Sequence, residues 1–230
     1  MPKLKAYILL RIRDILRKEA TSDSSHHLPQ AGLVPASVQE TNLQDQDSVF
    51  FKNDRMYRHN IAKFNYTTYD VRRAQDVINP GTSHRDVMLL AKNTDTSSDH
   101  HFLYARVLGI YHVNVIYTGE GMLDYDARRV EFLWVRWFDY DGSRCIRWDD
   151  LKLDRIFFPP MATESAFGFV DPRDVLRSCH VIPAFASGKV HVDGVGLSHV
   201  AKDEQDWTRY YINRCVVIFH LDRHLTNSRA

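Results

Sequence analysis

The chain has 230 residues, of which 44% are hydrophobic, and this is enough for one ordinary domain with appendages or for two small ones. The 30 Lys and Arg residues nearly balance the 29 Asp and Glu residues, and a formal net charge of +1 excludes a global attraction to nucleic acid or membrane. Three cysteines without a Cys-x-x-Cys pair predict a reducing, intracellular compartment, and no apolar run approaches the roughly 20 residues that span a bilayer.

Residues 1–20 predict a basic amphipathic helix. Leu4, Ile8 and Ile12 recur on one face at helical spacing, and basic side chains outnumber acidic ones. Such a helix is typical of a mitochondrial presequence or a membrane-surface segment, but docking on a partner or on its own fold is the simpler interpretation. Residues 21–48 are polar and lack Lys and Arg, which predicts a flexible linker.

Residues 49–200 predict a β-rich module. Its densest aromatic and β-branched run, 129–138, is typical of a central strand that is apolar on both faces, although Glu131 and Arg136 interrupt it. A second long strand is predicted over Phe102–Tyr117. Order is expected to resume near 49–51. Short strands are predicted near 64–69, 87–91, 167–170 and 180–185, and an irregular approach followed by a strand is predicted over 148–158. The sequence therefore predicts a mainly β fold with peripheral helices, arranged as a small antiparallel barrel or curled sheet.

The C-terminal part contains the other predicted helix. Residues 201–214 include three aromatic side chains within 203–213 and predict a short terminal helix, and residues 215–230 form a separate tail.

The segment 52–76 interleaves basic and aromatic residues. Rings can stack on nucleotide bases while cations neutralise phosphate, so this pattern suits a nucleic-acid surface. The candidate contact residues are the basic side chains Arg55, Arg58, Lys63, Arg72 and Arg73. Because Asp54, Asp70 and Asp76 lie in the same segment, a solvated, salt-bridged surface is the alternative.

A second candidate site is an aromatic cage for a methylated lysine or a peptide. Such cages place two or more ring faces around a cation. The candidate rings are Trp134, Trp137, Tyr140 and Trp148. Packing of the same rings in the core is the alternative.

Catalytic and metal-binding motifs are weak. The candidate ligands for zinc or manganese are Asp99, His100, His101, His112 and Asp124. Adjacent residues in a strand point to opposite faces, so His100 and His101 are not expected to share one ion, and Cys179 and His180 are not expected to form a nucleophile–base pair. We predict no catalytic residue, no metal site and no cofactor.

Six motifs in order support a family resemblance. They lie at 54–60, 66–73, 104–109, 132–138, 166–172 and 180–185, and the fourth reads Phe132-Leu133-Trp134-Val135-Arg136-Trp137-Phe138. Over residues 2–214 the chain resembles the C-terminal region of Plavaka-type transposases, proteins of CACTA-like DNA transposons abundant in mushroom-forming fungi. Residues 215–230 depart from the acidic, Met-rich and aromatic tail of that family.

The resemblance implies a non-catalytic, transposase-derived fragment. In the full-length proteins a zinc finger and an RNase H-like catalytic region lie upstream, and the motifs of this chain correspond to neither. The resemblance thus implies a module that contacts DNA or a protein partner and acts in the nucleus. No membrane partner is expected, because no apolar run is long enough to span a bilayer.

A fainter likeness concerns the bromo-adjacent homology domain, whose strand patterns have partial counterparts at 104–108, 135–138 and 176–181. That likeness implies a stand-alone reader of chromatin or of a peptide, and it establishes no ligand. A metal-dependent nuclease that uses the His100 region is the third hypothesis.

Overall fold

The computed structural model describes residues 2–22, 46–67, 73–91, 102–142 and 153–213, and these residues are mainly β. The elements are α1 (Pro2–Ser22), β1 (Val49–His59), β2 (Ala62–Thr67), β3 (Arg73–Ile78), β4 (Asp86–Leu90), β5 (Phe102–Tyr117), β6 (Arg128–Trp137), β7 (Asp139–Tyr140), β8 (Arg155–Phe157), β9 (Phe167–Val170), β10 (Val175–Ser178), β11 (His180–Pro183) and β12 (Tyr210–Asn213). The predicted mainly β fold class is therefore confirmed.

The strands form three sheets. The main sheet has the order β10-β4-β5-β6-β9, and β1 also pairs with β5. A four-stranded sheet has the order β11-β12-β8-β7, and β2 and β3 form an antiparallel hairpin. The sheets of the described residues are open, so the curled-sheet form of the prediction fits and the closed barrel does not.

The chain divides into two compact units. The first unit comprises residues 1–58 and 111–131, and the second comprises residues 59–110 and 132–230. The long strands β5 and β6 contribute residues to both units.

The first unit contains the predicted basic helix. Leu4, Ile8 and Ile12 of α1 are buried, as the spacing predicts. Two arginines tie the helix to the strands of this unit: Arg13 Nε donates to the Tyr117 hydroxyl at 3.1 Å, and Arg128 Nε donates to Glu19 at 2.7 Å. The helix is thus packed on its own fold, in agreement with the simpler interpretation of the sequence.

The second unit buries both faces of the main sheet. On one face Val87, Val107 and Leu133 pack with Phe64 and Ile78 of the β2–β3 hairpin. On the other face the core consists of Met88, Tyr104, Phe138, Ile156, Tyr210 and Ile212, and the last three belong to the four-stranded sheet. Each fully buried aliphatic or aromatic side chain contributes on the order of 1.5–3 kcal/mol relative to an exposed one. This explains why the central strands are apolar on both alternating sets of residues.

The predicted terminal helix over 201–214 is wrong. The structure has a single 3-10 turn at Asp203–Gln205, followed by the strand β12. Alternate residues of β12 are buried, and the strand pairs with β11 on one side and with β8 on the other. The aromatic and β-branched side chains of this stretch suit a strand, and the two neighbouring strands decide the outcome.

Candidate functional site

Two buried arginines on the main sheet share one carboxylate from the C-terminal part of the chain. Arg106 Nη1 lies 3.2 Å from Asp206 Oδ1, and Arg136 Nη1 lies 2.5 Å from Asp206 Oδ2. Asp86, directly opposite Arg106 across β4 and β5, accepts a bond from Arg106 Nε at 2.8 Å and a second from Nη2 at 3.3 Å. Together with Tyr210, these residues form what we call the buried ion cluster.

Aromatic rings enclose the buried ion cluster. The guanidinium carbon of Arg136 lies 4.0 Å from the Phe158 ring centroid, and that of Arg106 lies 4.8 Å from the same centroid. A desolvated cation over an aromatic face gains about 2 kcal/mol. The Tyr210 hydroxyl donates to Asp206 at 3.2 Å and accepts from the Trp207 N–H at 2.9 Å. The rings and hydrogen bonds replace part of the water that these charges lose on burial, while Arg136 Nε stays buried without a hydrogen-bond partner among the described residues.

The chemistry of this cluster is structural. Asp86 and Asp206 already accept bonds from guanidinium groups, so neither carboxylate is available as a general base. Nearby, desolvation raises the pKa of the Cys179 thiol well above its ordinary value, which keeps the thiol protonated and unreactive. His180 is exposed on β11, and the described residues contain no group of three His, Cys, Asp or Glu side chains that could hold a metal ion.

The candidate metal ligands are dispersed. Asp99, His100 and His101 lie outside the described residues. The His112 ring stacks on Tyr57 with centroids 4.7 Å apart, and Asp124 binds Arg128 Nη1 at 2.7 Å.

The candidate cage residues do not meet in one place among the described residues. Successive strand residues alternate between faces, and Trp134 and Trp137, three positions apart on β6, therefore lie on opposite faces of the main sheet. Trp134 packs near the Phe167 ring, whereas Trp137 packs against the core that Leu133 and Val135 form. The Tyr140 hydroxyl donates to a backbone carbonyl of Phe102 at 2.7 Å. Trp148 lies outside the described residues.

The candidate basic residues fall into two sets. Arg55 and Arg58 are exposed on β1 in the first unit, and Lys63 and Arg73 are exposed on the β2–β3 hairpin in the second unit. Arg72 lies outside the described residues.

The hairpin separates its charges between its two faces. Lys63 lies opposite Val77 and Arg73 lies opposite Thr67, so both cations share the outer face. Asp76 lies on the inner face, where it accepts bonds from the Ser178 N–H at 2.9 Å and from Arg177 Nε at 3.5 Å. The carboxylate that was expected to dilute this positive charge is thus turned inward and paired.

One exposed surface was missed by the sequence analysis. Residues 185–200, which we call the apolar segment, carry six large apolar side chains that face solvent: Phe185 (67% exposed), Val190 (53%), Val192 (93%), Val195 (67%), Leu197 (81%) and Val200 (53%). Apart from a 3-10 turn at Phe185–Ser187 and one isolated bridge, the segment has no regular secondary structure. The sequence contained one signal for this exposed surface, the recurrence of Val and Leu among Gly, His and Asp. The spacing of these Val and Leu residues matches neither a helix nor a strand, so it predicted no regular element.

The apolar segment is held by hydrogen bonds. The buried Asp203 carboxylate accepts from the Leu197 and Ser198 N–H groups at 2.7 Å each and lies 3.0 Å from His191 Nε2. Burial alone would raise the pKa of this carboxyl, but those backbone N–H groups hold it below its ordinary value. The Val190 N–H donates to the Asp206 carbonyl at 3.0 Å. Hydrogen bonds therefore attach the apolar segment to Asp203, where the turn begins, and to Asp206, where it ends.

The first unit contains a groove of about 560 Å³ between α1 and the loop after β5. Its lining residues are Arg13, Leu16, Arg17, Ala20, Glu120, Gly121 and Leu123. The mixture of two cations, one carboxylate and leucine side chains does not single out a ligand.

No protein-family model matches the chain, and comparisons with curated proteins and with solved structures likewise return no match. Within the described residues, no helix combines the length and the apolarity required to cross a bilayer.

We predict that Asp206→Asn destabilises the protein by about 3–5 kcal/mol, because it leaves buried guanidinium charge uncompensated. Urea denaturation of the variant and the unaltered chain measures the difference. The matched control is Glu131→Gln, since Glu131 pairs with Arg129 on the exposed surface and such a pair contributes about 1 kcal/mol at most. A loss no larger than that of the control would show that the shared carboxylate is not central to stability.

Alkaline pH should weaken the fold through Tyr210. Burial raises the pKa of the Tyr210 hydroxyl to about 12, from an ordinary value near 10. The folded state then holds a proton that the unfolded state has released, so this contribution is complete below pH 10 and is lost as the pH rises towards about 12. The loss reaches about 3 kcal/mol at most.

The measurement is the free energy of unfolding between pH 9 and pH 12 for the unaltered chain and for Tyr210→Phe. The variant starts less stable because it lacks the hydroxyl, but its stability should fall less steeply with pH. Parallel slopes for the two proteins would contradict the assignment to Tyr210.

Proposed function

We propose that the chain is a non-catalytic, transposase-derived module that contacts a protein partner through the apolar segment, residues 185–200. The six ordered motifs support the transposase origin. The observation that carries the contact function is the exposure of six large apolar side chains within sixteen consecutive residues. Apolar surface of this kind in a folded protein typically marks an interaction site.

The apolar segment is suited to this role because its backbone is fixed before a partner arrives. Asp203 fixes Leu197 and Ser198, and the bond from Val190 to Asp206 links the segment to the buried ion cluster. At Gly196 an added Cβ would lie 2.7 Å from the Glu204 backbone nitrogen, so the chain passes too close there for a side chain. A preorganised surface loses less conformational entropy on binding, which favours affinity.

The partner that we propose is the catalytic region of a Plavaka-type transposase. The family resemblance implies that this region and the module are parts of the same parent protein, and we propose that the complex forms in the nucleus. Burial of the exposed Val and Leu side chains would supply about 25 cal/mol for each Å² of apolar surface removed from water. An acidic or purely polar partner surface would not make use of this apolar area.

We predict that Val192→Ser combined with Leu197→Ser weakens binding to a purified Plavaka-type catalytic region by about tenfold or more, because exposed anchor side chains lose their apolar contact. Isothermal titration calorimetry measures the dissociation constant. Since Val192 is 93% exposed and Leu197 is 81% exposed, the double variant should fold with nearly unchanged stability.

The control variant is Val77→Ser, which alters an exposed apolar side chain on the β2–β3 hairpin of the same unit. Equal affinity of the double variant and the unaltered chain would refute the proposed surface. Concentration-dependent light scattering adds a second arm: dimerisation that disappears in the double variant would assign the surface to a second copy of this chain instead.

A second candidate function, contact with nucleic acid, is favoured by the outer face of the β2–β3 hairpin. Lys63 and Arg73 are exposed there, and neither forms an ion pair or hydrogen bond with any described residue. Arg73 lies opposite Thr67, four strand steps from Lys63, which corresponds to about 13 Å along the hairpin. Two free cations on one face can each neutralise a backbone phosphate.

For this candidate we predict salt-dependent binding to single- or double-stranded DNA at low ionic strength. The double variant Lys63→Gln and Arg73→Gln should lower the slope of log K against log salt by about 1.5, since each lost phosphate contact removes about 0.7–0.9. Fluorescence anisotropy measures both slopes. Arg129→Gln is the control because Arg129 is already paired with Glu131. Absence of binding at low salt would eliminate nucleic-acid contact.

A further inference from the structure

Arg85 is a buried cation that lacks a carboxylate partner among the described residues. It immediately precedes β4, and only 9% of the residue is exposed. Its side chain forms no hydrogen bond or ion pair with any described residue. None of its guanidinium nitrogens is among the fully buried unpaired atoms of the structure, so the tip of the side chain still reaches solvent. The Arg85 guanidinium is therefore largely buried but still accessible to solvent at its tip.

The carboxylates near Arg85 are already bonded to other arginines. Asp86 accepts two bonds from Arg106, and Asp206 accepts bonds from both Arg106 and Arg136. Among the described residues, the guanidinium groups of Arg85, Arg106 and Arg136 therefore lie near two carboxylates, and both carboxylates are bonded to Arg106 or Arg136. Desolvation and the positive charge of Arg106 lower the pKa of Arg85, although an arginine remains charged at neutral pH. Among these five described groups, the positive charges exceed the negative charges by one.

The excess positive charge and the limited solvent exposure of Arg85 together indicate the class of ligand. One excess positive charge fits a singly charged oxyanion, which a carboxylate provides, and the planar guanidinium matches a carboxylate with two parallel hydrogen bonds. A carboxylate on a slender side chain can reach the tip of a residue that is nine-tenths buried. A phosphodiester flanked by two sugars is much bulkier, so a nucleic-acid backbone is the less suitable occupant.

We propose that Arg85 binds an Asp or Glu carboxylate of the protein partner that docks on the apolar segment. Asp206 connects the two features, because its charge acts on Arg85 and its backbone carbonyl accepts the Val190 N–H. Arginines are enriched among the residues that contribute most to binding at the centre of protein interfaces. The identity of the carboxylate donor rests on the proposed function, but the anion site on this chain does not.

The first experiment titrates the unaltered chain with sodium acetate, with sodium chloride and dimethyl phosphate as comparison probes at equal ionic strength. The readout is the proton–nitrogen NMR resonance of Arg85 Nε, identified by its loss in Arg85→Met. Acetate should shift this resonance in a saturable way, and chloride should not. Absence of an acetate-specific shift would overturn the proposal, and a stronger response to dimethyl phosphate would replace the carboxylate by a phosphodiester.

The second experiment compares thermal unfolding of Arg85→Met and of Arg73→Met in the same three solutions. Acetate should raise the unfolding midpoint of the unaltered chain and of Arg73→Met, because a ligand that binds only the folded state stabilises it. This acetate-specific rise should vanish in Arg85→Met. If Arg85→Met does not fold, the conservative variant Arg85→Lys identifies the Nε resonance by its loss, and the titration of the unaltered chain then decides the proposal.

Different experimental outcomes would refute the proposed partner and the proposed Arg85 site. An acetate response without any binding of the transposase catalytic region would leave the Arg85 site standing and remove the proposed partner. Loss of partner binding in Val192→Ser with Leu197→Ser, together with no acetate response, would support the apolar contact and overturn the Arg85 site.

Discussion

The carboxylate of Asp206, shared by two buried arginines, is the interaction on which the second unit depends. It joins the segment before β12 to the main sheet through Arg106 and Arg136. The same residue accepts a bond from Tyr210 through its side chain and from Val190 through its backbone. One residue thus fixes the four-stranded sheet, the main sheet and the start of the apolar segment relative to one another.

Such a cluster inside a sheet core requires a physical explanation, because burying charge is costly and hydrophobic replacements are often equally stable. Here the guanidinium groups lie against Phe138 and Phe158, which offer ring faces to the cations in place of water. Misaligned pairing of β4 with β5 would separate Asp86 from Arg106. We infer that the cluster selects this register and this docking of the C-terminal part, where apolar packing alone would tolerate alternatives.

Two further features are linked to this centre: the exposed apolar segment through the bond from Val190 to Asp206, and Arg85, which has no ion pair with a described residue, through the charges of Arg106 and Asp206. Neither feature stabilises the isolated chain. Exposed Val and Leu side chains contribute no free energy of burial, and a desolvated cation without an ion-pair partner costs free energy. Features that are costly alone and become favourable in a complex are characteristic of binding surfaces. The buried ion cluster provides the rigid base that lets the second unit present them in a fixed arrangement.

The sequence by itself determined the mainly β class and the strands with strong local patterns. It predicted β5 with the bounds Phe102–Tyr117 and the central strand within one residue of β6, because continuous aromatic and β-branched runs leave no competing structure. It also contained enough to separate Trp134 from Trp137, since the strand period of two puts them on opposite faces.

Only the tertiary structure decided the partners of these elements. The stretch 201–214 became a turn and a strand because β11 and β8 offer it hydrogen-bonding edges, which no local pattern reveals. The partner of Arg136 lies 70 residues away, and the apolar segment is exposed because its backbone bonds to Asp203 and Asp206 leave its side chains without a core to enter. Burial and charge pairing are set by residues distant in sequence, so they appear only when the chain is folded.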